Sequence, residues 1–189
     1  MKISDLLKET TVGICFGRFN PPHRGHAAAW KNASECDHWV VGTNENTRDR
    51  KNPLPYDVKV KCMETVYPKI EGHIVPEQSV FTLATTVYKT YGENVDLKVY
   101  TDEDWLTESL IKYNGKESKH GYYKFNSISQ APTPRLSSAT SLRTAVLEDN
   151  RQQFSVAAGI SDDTPIKIEG KTVKFFDLVA NYLKAYPVK

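Results

Sequence analysis

Cysteine is scarce: Cys15, Cys36 and Cys62 are the three in the chain, odd in number and without a short paired spacing. That excludes a disulfide framework and the paired-thiolate pattern of a structural zinc site, so free thiols are expected. An excess of charge of either sign is also missing. The 25 Lys+Arg against 23 Asp+Glu leave a formal net charge of +2, too near balance for charge alone to recruit nucleic acid or a membrane surface. No apolar run approaches bilayer-spanning length. The leader Met1 to Thr10 has no apolar core and does not read as a secretory signal, so a cytosolic location is expected. Internal repeats and low-complexity segments are absent.

What is present suits one ordinary domain: 189 residues, 39% of them hydrophobic, can bury a substantial core. Thr11 to Phe16 is a β-branched apolar run that predicts a buried first strand, followed by a Gly/Pro-rich loop and an alanine-rich helix from His26 to Ser34. His38 to Thr43 reads as the second strand, and Tyr56 to Tyr67 as a helix stopped by Pro68. His73 to Val75 predicts a short strand and Ser79 to Tyr91 a helix ended by Gly92. Val95 to Thr101 predicts a strand, Glu103 to Tyr113 a helix, Phe125 to Ser129 a strand, and Ser138 to Glu148 a serine-capped helix. Asn114 to Phe125, polar and tyrosine-rich, reads as an insertion or a substrate-facing loop.

This alternation predicts an α/β fold, a doubly wound parallel sheet of about five strands covered on both faces, with its ligand crevice at the carboxyl ends of the strands. Residues 1–150 form the main domain in this reading. Residues 151–189 form a mainly helical extension packed on it, with a β-like stretch at Ile166 to Val173 and a helix over Lys174 to Tyr186.

The loop Gly17-Arg18-Phe19-Asn20-Pro21-Pro22-His23-Arg24-Gly25-His26 carries the chemistry. Two histidines three apart at a strand-to-helix junction sit beside free backbone N–H groups, where the helix dipole favours negative charge. Imidazoles placed there can donate to phosphate oxygens whose charge rises in a pentavalent transition state. Gly17 and Gly25 would let backbone approach a triphosphate, and Arg18 is the nearest permanent cation. A bare H-x-x-H is more often an ordinary surface turn; the strand before, the helix after and the flanking glycines reverse that reading. A zinc pair would sit four apart on a helix with a third ligand in reach, and none is evident.

These residues resemble the G-x-F-x-P-x-H-x-G-H signature of the cytidylyltransferase-like nucleotidyltransferase superfamily. The resemblance implies a Rossmann-like fold, an NTP as donor and Mg²⁺ as cofactor, with no residue assigned as its protein ligand. The later segment Ser137 to Arg143 is similar to the superfamily's I-S-x-T-x-[IL]-R, Ser137 replacing the apolar first position. By that resemblance His23, His26 and Arg143 are catalytic. Gly17, Arg18, Phe19, Gly25, Asp102, Ser138 and Thr140 bind the nucleotide.

Lys51-Asn52-Pro53-Leu54 resembles the N-P-[FL] segment of nicotinamide mononucleotide adenylyltransferases, which favours ATP over CTP and places Asn52 and Lys59 at the acceptor. Lys51 and Lys59 read equally well as a solvated basic face, and Lys61 more so. Bacteriophage nucleotidyltransferase-like proteins share similar blocks, including Lys112 to Phe125, which would face the acceptor; the location would then be host cytoplasm. One departure stands out: relatives have G-[ST]-D at the end of the fourth strand, where this chain has Tyr100-Thr101-Asp102. A tyrosine there would fill space a glycine leaves for the nucleoside. Trp105, Tyr122 and Tyr123 could stack on a base but read more readily as packing residues.

Three functions follow. The first is transfer of a nucleoside monophosphate from ATP or CTP to a small phosphorylated acceptor, with nicotinamide mononucleotide favoured over a phosphorylated alcohol. The second is a non-catalytic nucleotide-binding protein of the same fold. The third, a fragment of a class I aminoacyl-tRNA synthetase, lacks the lysine-rich late loop it requires. Nucleic-acid and membrane partners are not expected; a homo-oligomer is left open.

Overall fold

The computed structural model describes residues 9–45 and 48–187. Most of the leader segment lies outside them. Five parallel strands, β1 (Thr10–Phe16), β2 (His38–Thr43), β3 (Ile74–Pro76), β4 (Val95–Tyr100) and β5 (Ser127–Ala131), form one sheet in the order β3-β2-β1-β4-β5. The chain runs outward from β1 to one edge, then returns to β4 and runs to the other. The reversal lies between β1 and β4, where a doubly wound sheet opens a crevice at its carboxyl ends.

Alternation along the strands decides what each face meets. Val12 and Ile14 of β1 join Val95, Leu97 and Val99 of β4 beneath α3 (Val80–Tyr91) and α4 (Asp104–Tyr113). On the other face Cys15 and Val41 meet α1 (Arg24–Ala33) through Trp30, and α2 (Tyr56–Val66) through Val58, Cys62 and Met63. Gly13 lies on that face because a side chain would come within 2.9 Å of the Ala33 carbonyl.

The C-terminal elements belong to the same apolar cluster. They are α5 (Ala139–Leu147), α6 (Arg151–Ala158), the antiparallel pair β6 (Pro165–Ile168) and β7 (Lys171–Lys174), and α7 (Phe175–Lys184). Phe154, Phe175, Phe176 and Val179 are buried with Trp30 and Met63. Outside that cluster Arg151 bridges Asp162 and Asp177, at 3.3 and 2.7 Å, and covers the Phe176 ring. Among the described residues no helix is long and apolar enough to cross a membrane.

Three expectations need correction. Helix α6 is an addition: its eight residues begin polar and bury one large side chain, Phe154, too little for periodicity to show. Strand β5 starts two residues later than expected, because Phe125 stacks on Tyr123 in the preceding turn. That turn does not face the crevice. The Asn114 amide brackets the Phe125 backbone, Tyr123 donates its hydroxyl to the Leu110 carbonyl, and His120 lies over Phe81 of α3. The segment therefore closes over α3 and α4.

Candidate nucleotide site

Helix α1 begins at the second half of the Gly/Pro loop, and its first turn is capped by its own histidines. His23 is the N-cap: its Nδ1 accepts from the Gly25 N–H at 3.1 Å, while Nδ1 of His26 accepts from the His23 N–H at 3.2 Å. The rings stack with centroids 3.5 Å apart, and Phe19 stands edge-on to His26. Burial, aided by the Arg24 charge, pushes the His23 imidazole down to about 4; burial and then His23 hold His26 well below its ordinary value. Both rings are therefore neutral at neutral pH. Because each Nδ1 is an acceptor, each proton resides on Nε2, leaving two N–H donors beside the helix N-terminus.

The glycines have reasons inside the chain. A side chain at 17 would come within 2.8 Å of the Phe19 ring, and one at 25 within 3.1 Å of the His23 ring. They make room for the aromatic packing as well as for any phosphate. Phe19 takes a positive φ of 47°. The loop's near end is held by Thr43, which donates to the Gly17 carbonyl at 2.7 Å. Its middle is held by the buried Asn20, whose amide exchanges two bonds with the Leu54 backbone, at 2.9 and 3.0 Å.

Arg143, on α5, closes the assembly. One terminal nitrogen donates to the Asn20 and Lys51 carbonyls, at 2.9 and 3.1 Å, and the other to the Thr140 hydroxyl at 3.1 Å. Burial and the neighbouring Arg18 and Arg50 charges lower its pKa. Ser138 caps α5 by accepting from the Ser141 N–H.

Two adjoining clefts result. The first, of about 350 Å³, runs from Gly17, Arg18, Phe19, Gly25 and His26 to Tyr100, Thr101, Asp102, Glu103, Trp105 and Leu106, with Thr133 and Pro134 at its rim. The second, of about 470 Å³, is lined by Asn20, His23, His26, Lys51, Asn52, Ser138, Thr140 and Arg143. Arg18, Phe19, His26 and Glu103 belong to both. Strand end, helix start and late helix thus converge on a crevice that offers N–H donors and guanidinium groups, a setting for phosphate.

The cytidylyltransferase-like family profile matches residues 14–138, two thirds of the chain. This chain belongs to the cytidylyltransferase-like family of nucleotidyltransferases. No curated protein sequence matches it. Solved structures align with it, one of them closely enough to share the fold. A bifunctional NMN adenylyltransferase/ADP ribose pyrophosphatase from Francisella tularensis aligns with 15% identity and a TM-score of 0.56, over 93% of this chain and 50% of that one. This chain thus spans about half of that protein. A Vibrio parahaemolyticus protein described as a nicotinate-nucleotide adenylyltransferase aligns over 93% of this chain and 99% of its own, at 15% identity and a TM-score of 0.47. Thermotoga maritima TmcAL, bound with alpha-thio ATP, aligns over 93% and 56% at 12% identity and a TM-score of 0.43.

At this candidate site, all but one of the residues expected from sequence line a cleft. Lys59 does not: it is 1% exposed and its ammonium binds the Asn44 carbonyl at 2.6 Å. It is neither an acceptor ligand nor part of a solvated basic face. Asp102 lies at the first cleft but is engaged by Arg135 at 2.8 Å. Tyr100, where the sequence reading expected a glycine, borders the first cleft but turns the far end of its ring away from it. Its ring leans back over Gly13 and its hydroxyl sits 3.4 Å from Cys36 Sγ, toward the opposite end of the sheet.

Sequence reasoning missed several contributors. Among the described residues the Asn20 and Thr43 side chains bond to main chain, and their roles depend on contacts 34 and 26 residues away. Trp105, 57% exposed, lines the first cleft rather than packing in the core. Its position at the first turn of the helix after the strand-end aspartate was the available signal.

Proposed function

We propose that this chain transfers the nucleoside monophosphate of an NTP, ATP before CTP, to a small phosphorylated acceptor and releases pyrophosphate. Nicotinamide mononucleotide is the first acceptor to test; the N-P-L segment at Asn52 supports that choice and the preference for ATP. The observation that carries the reading is the pair of neutral imidazoles with Nε2–H donors at the start of α1, in one crevice with Ser138, Thr140 and Arg143.

In this reading an acceptor phosphate oxygen attacks the α-phosphorus, and the bond to the bridging β-oxygen breaks in line. The Nε2–H groups of His23 and His26 donate to the non-bridging and leaving oxygens as their charge grows, without proton transfer. Arg18 and the free N–H groups of Arg143 receive the departing pyrophosphate. Trp105 offers a flat apolar wall for a base or an acceptor ring.

Among the described residues no three His, Cys, Asp or Glu side chains gather to hold a metal. The donor set fits Mg²⁺ carried on the triphosphate with one protein carboxylate, Glu103, which borders both clefts. When bound, the ion would neutralise phosphate charge.

The test is pyrophosphate release from each NTP with Mg²⁺ and a panel of phosphorylated acceptors, with His26→Ala as control. Turnover with one acceptor, lost in the control, is expected. Binding of ATP with no pyrophosphate from any acceptor would leave a nucleotide-binding protein without catalysis.

A further inference from the structure

Lys59 is costly to the fold. A buried ammonium with one short hydrogen bond gives up hydration that a single carbonyl does not replace, and an apolar side chain of the same length would fill the space at less cost. Burial pushes its pKa down to about 8 against the opposing pull of Glu45. The other titratable neighbour is Tyr56, whose ring centre lies 5.5 Å from Nζ and whose own pKa is raised by burial and Glu45.

What the ammonium holds is informative. Asn44 follows directly on β2, and its own side-chain Oδ1 is buried with no hydrogen-bond partner among the described residues. One residue earlier, Thr43 binds the Gly17 carbonyl at 2.7 Å, and Gly17 N–H returns a bond to the Gly42 carbonyl at 3.2 Å. A continuous path therefore runs from Lys59 through the end of β2 to the loop that ends in His23.

We propose that Lys59 is a positioning residue, whose buried ammonium holds the Asn44 carbonyl and so fixes the end of β2 and the entrance of the Gly17–Gly25 loop. This rests on the catalytic reading only for its effect on turnover. The effect on loop order is independent of it.

Stability and positioning move in opposite directions with pH. The folded value of about 8 lies below the ordinary 10.5, so charged Lys59 penalises the fold at neutral pH and the penalty fades as pH rises through that interval. The charge-assisted bond to Asn44 weakens where the folded Lys59 itself loses its proton, as pH rises through about 8.

The experiment compares wild type with Lys59→Met and Lys59→Arg. Hydrogen exchange without any nucleotide is expected to show protection of Gly17–Gly25 falling by at least about tenfold in Lys59→Met, with the melting temperature unchanged or raised, and largely restored in Lys59→Arg. Wild type should lose the same protection, after correction for intrinsic exchange, as pH rises through about 8, and Lys59→Arg should not. In the turnover assay kcat/KM should follow the same order. Unchanged protection in Lys59→Met, or an identical alkaline loss in Lys59→Arg, overturns the proposal. If Lys59→Met fails to fold, the wild-type and Lys59→Arg pH series decides. Absence of turnover in wild type overturns the catalytic reading alone.

Discussion

His23 and His26 each accept a backbone N–H through Nδ1, and their rings lie 3.5 Å apart, so one helix cap sets the tautomer of both. The cap uses one edge of each ring, and the proposed reaction uses the other. The two uses can be separated by substitution.

In His23→Asn the cap acceptor survives, since asparagine is among the best N-caps, while the Nε2–H donor is lost. The melting temperature should change little. Pyrophosphate formation should fall by about 10²- to 10³-fold, the range for removing one such donor. A variant that keeps wild-type turnover would remove His23 from the chemistry.

The pH dependence of stability carries a matching signature. The folded pKa of His23 is about 4 against an ordinary 6.5, so the unfolded chain binds protons first as pH falls. The stabilisation is complete above the ordinary value and is lost progressively between about 6.5 and about 4. His26, shifted in the same direction, adds to it. Urea denaturation across this interval should show the slope, reduced in His23→Asn.

Tyr100→Gly restores the family residue but should not restore affinity. The ring lies back over Gly13 at the edge of the core, half-buried, so its removal loses packing and should cost about 1–3 kcal/mol, less than a fully buried truncation. Denaturation and ATP titration together check this; tighter ATP binding would show that the ring does obstruct the nucleoside.

Trp105→Ala tests the exposed indole. With 57% of its surface in solvent, its loss should change stability by no more than about 0.5 kcal/mol. KM for the acceptor or the NTP should rise by about tenfold if a ring stacks there. The substrate whose KM moves identifies which one the first cleft holds.

The strands were legible because their signal is local. β2 lies over the residues expected for it, α5 begins after the serine expected to cap it, and α3 begins one residue after its expected start because Ser79 is its cap. The start of α1 was expected at His26, and the helix begins at Arg24 because His23 is an unusual cap. Lys59 was illegible for a different reason: a lysine at helical spacing among apolar residues looks the same whether its ammonium reaches water or is trapped under a strand end. The orientation of Tyr100 depended on Gly13 and Cys36, far away in sequence, which no local pattern encodes.

Arg143 binds carbonyls 123 and 92 residues before it, which bears on the order in which the molecule is made. The loop at Asn20 and the loop at Lys51 leave the ribosome early, but nothing joins them to α5 until Arg143 has also emerged. Closure over such separations is slow compared with helix and turn formation. The second cleft is therefore completed late in a growing chain, and a product ending before α5 would carry the histidine signature without the far wall of that cleft.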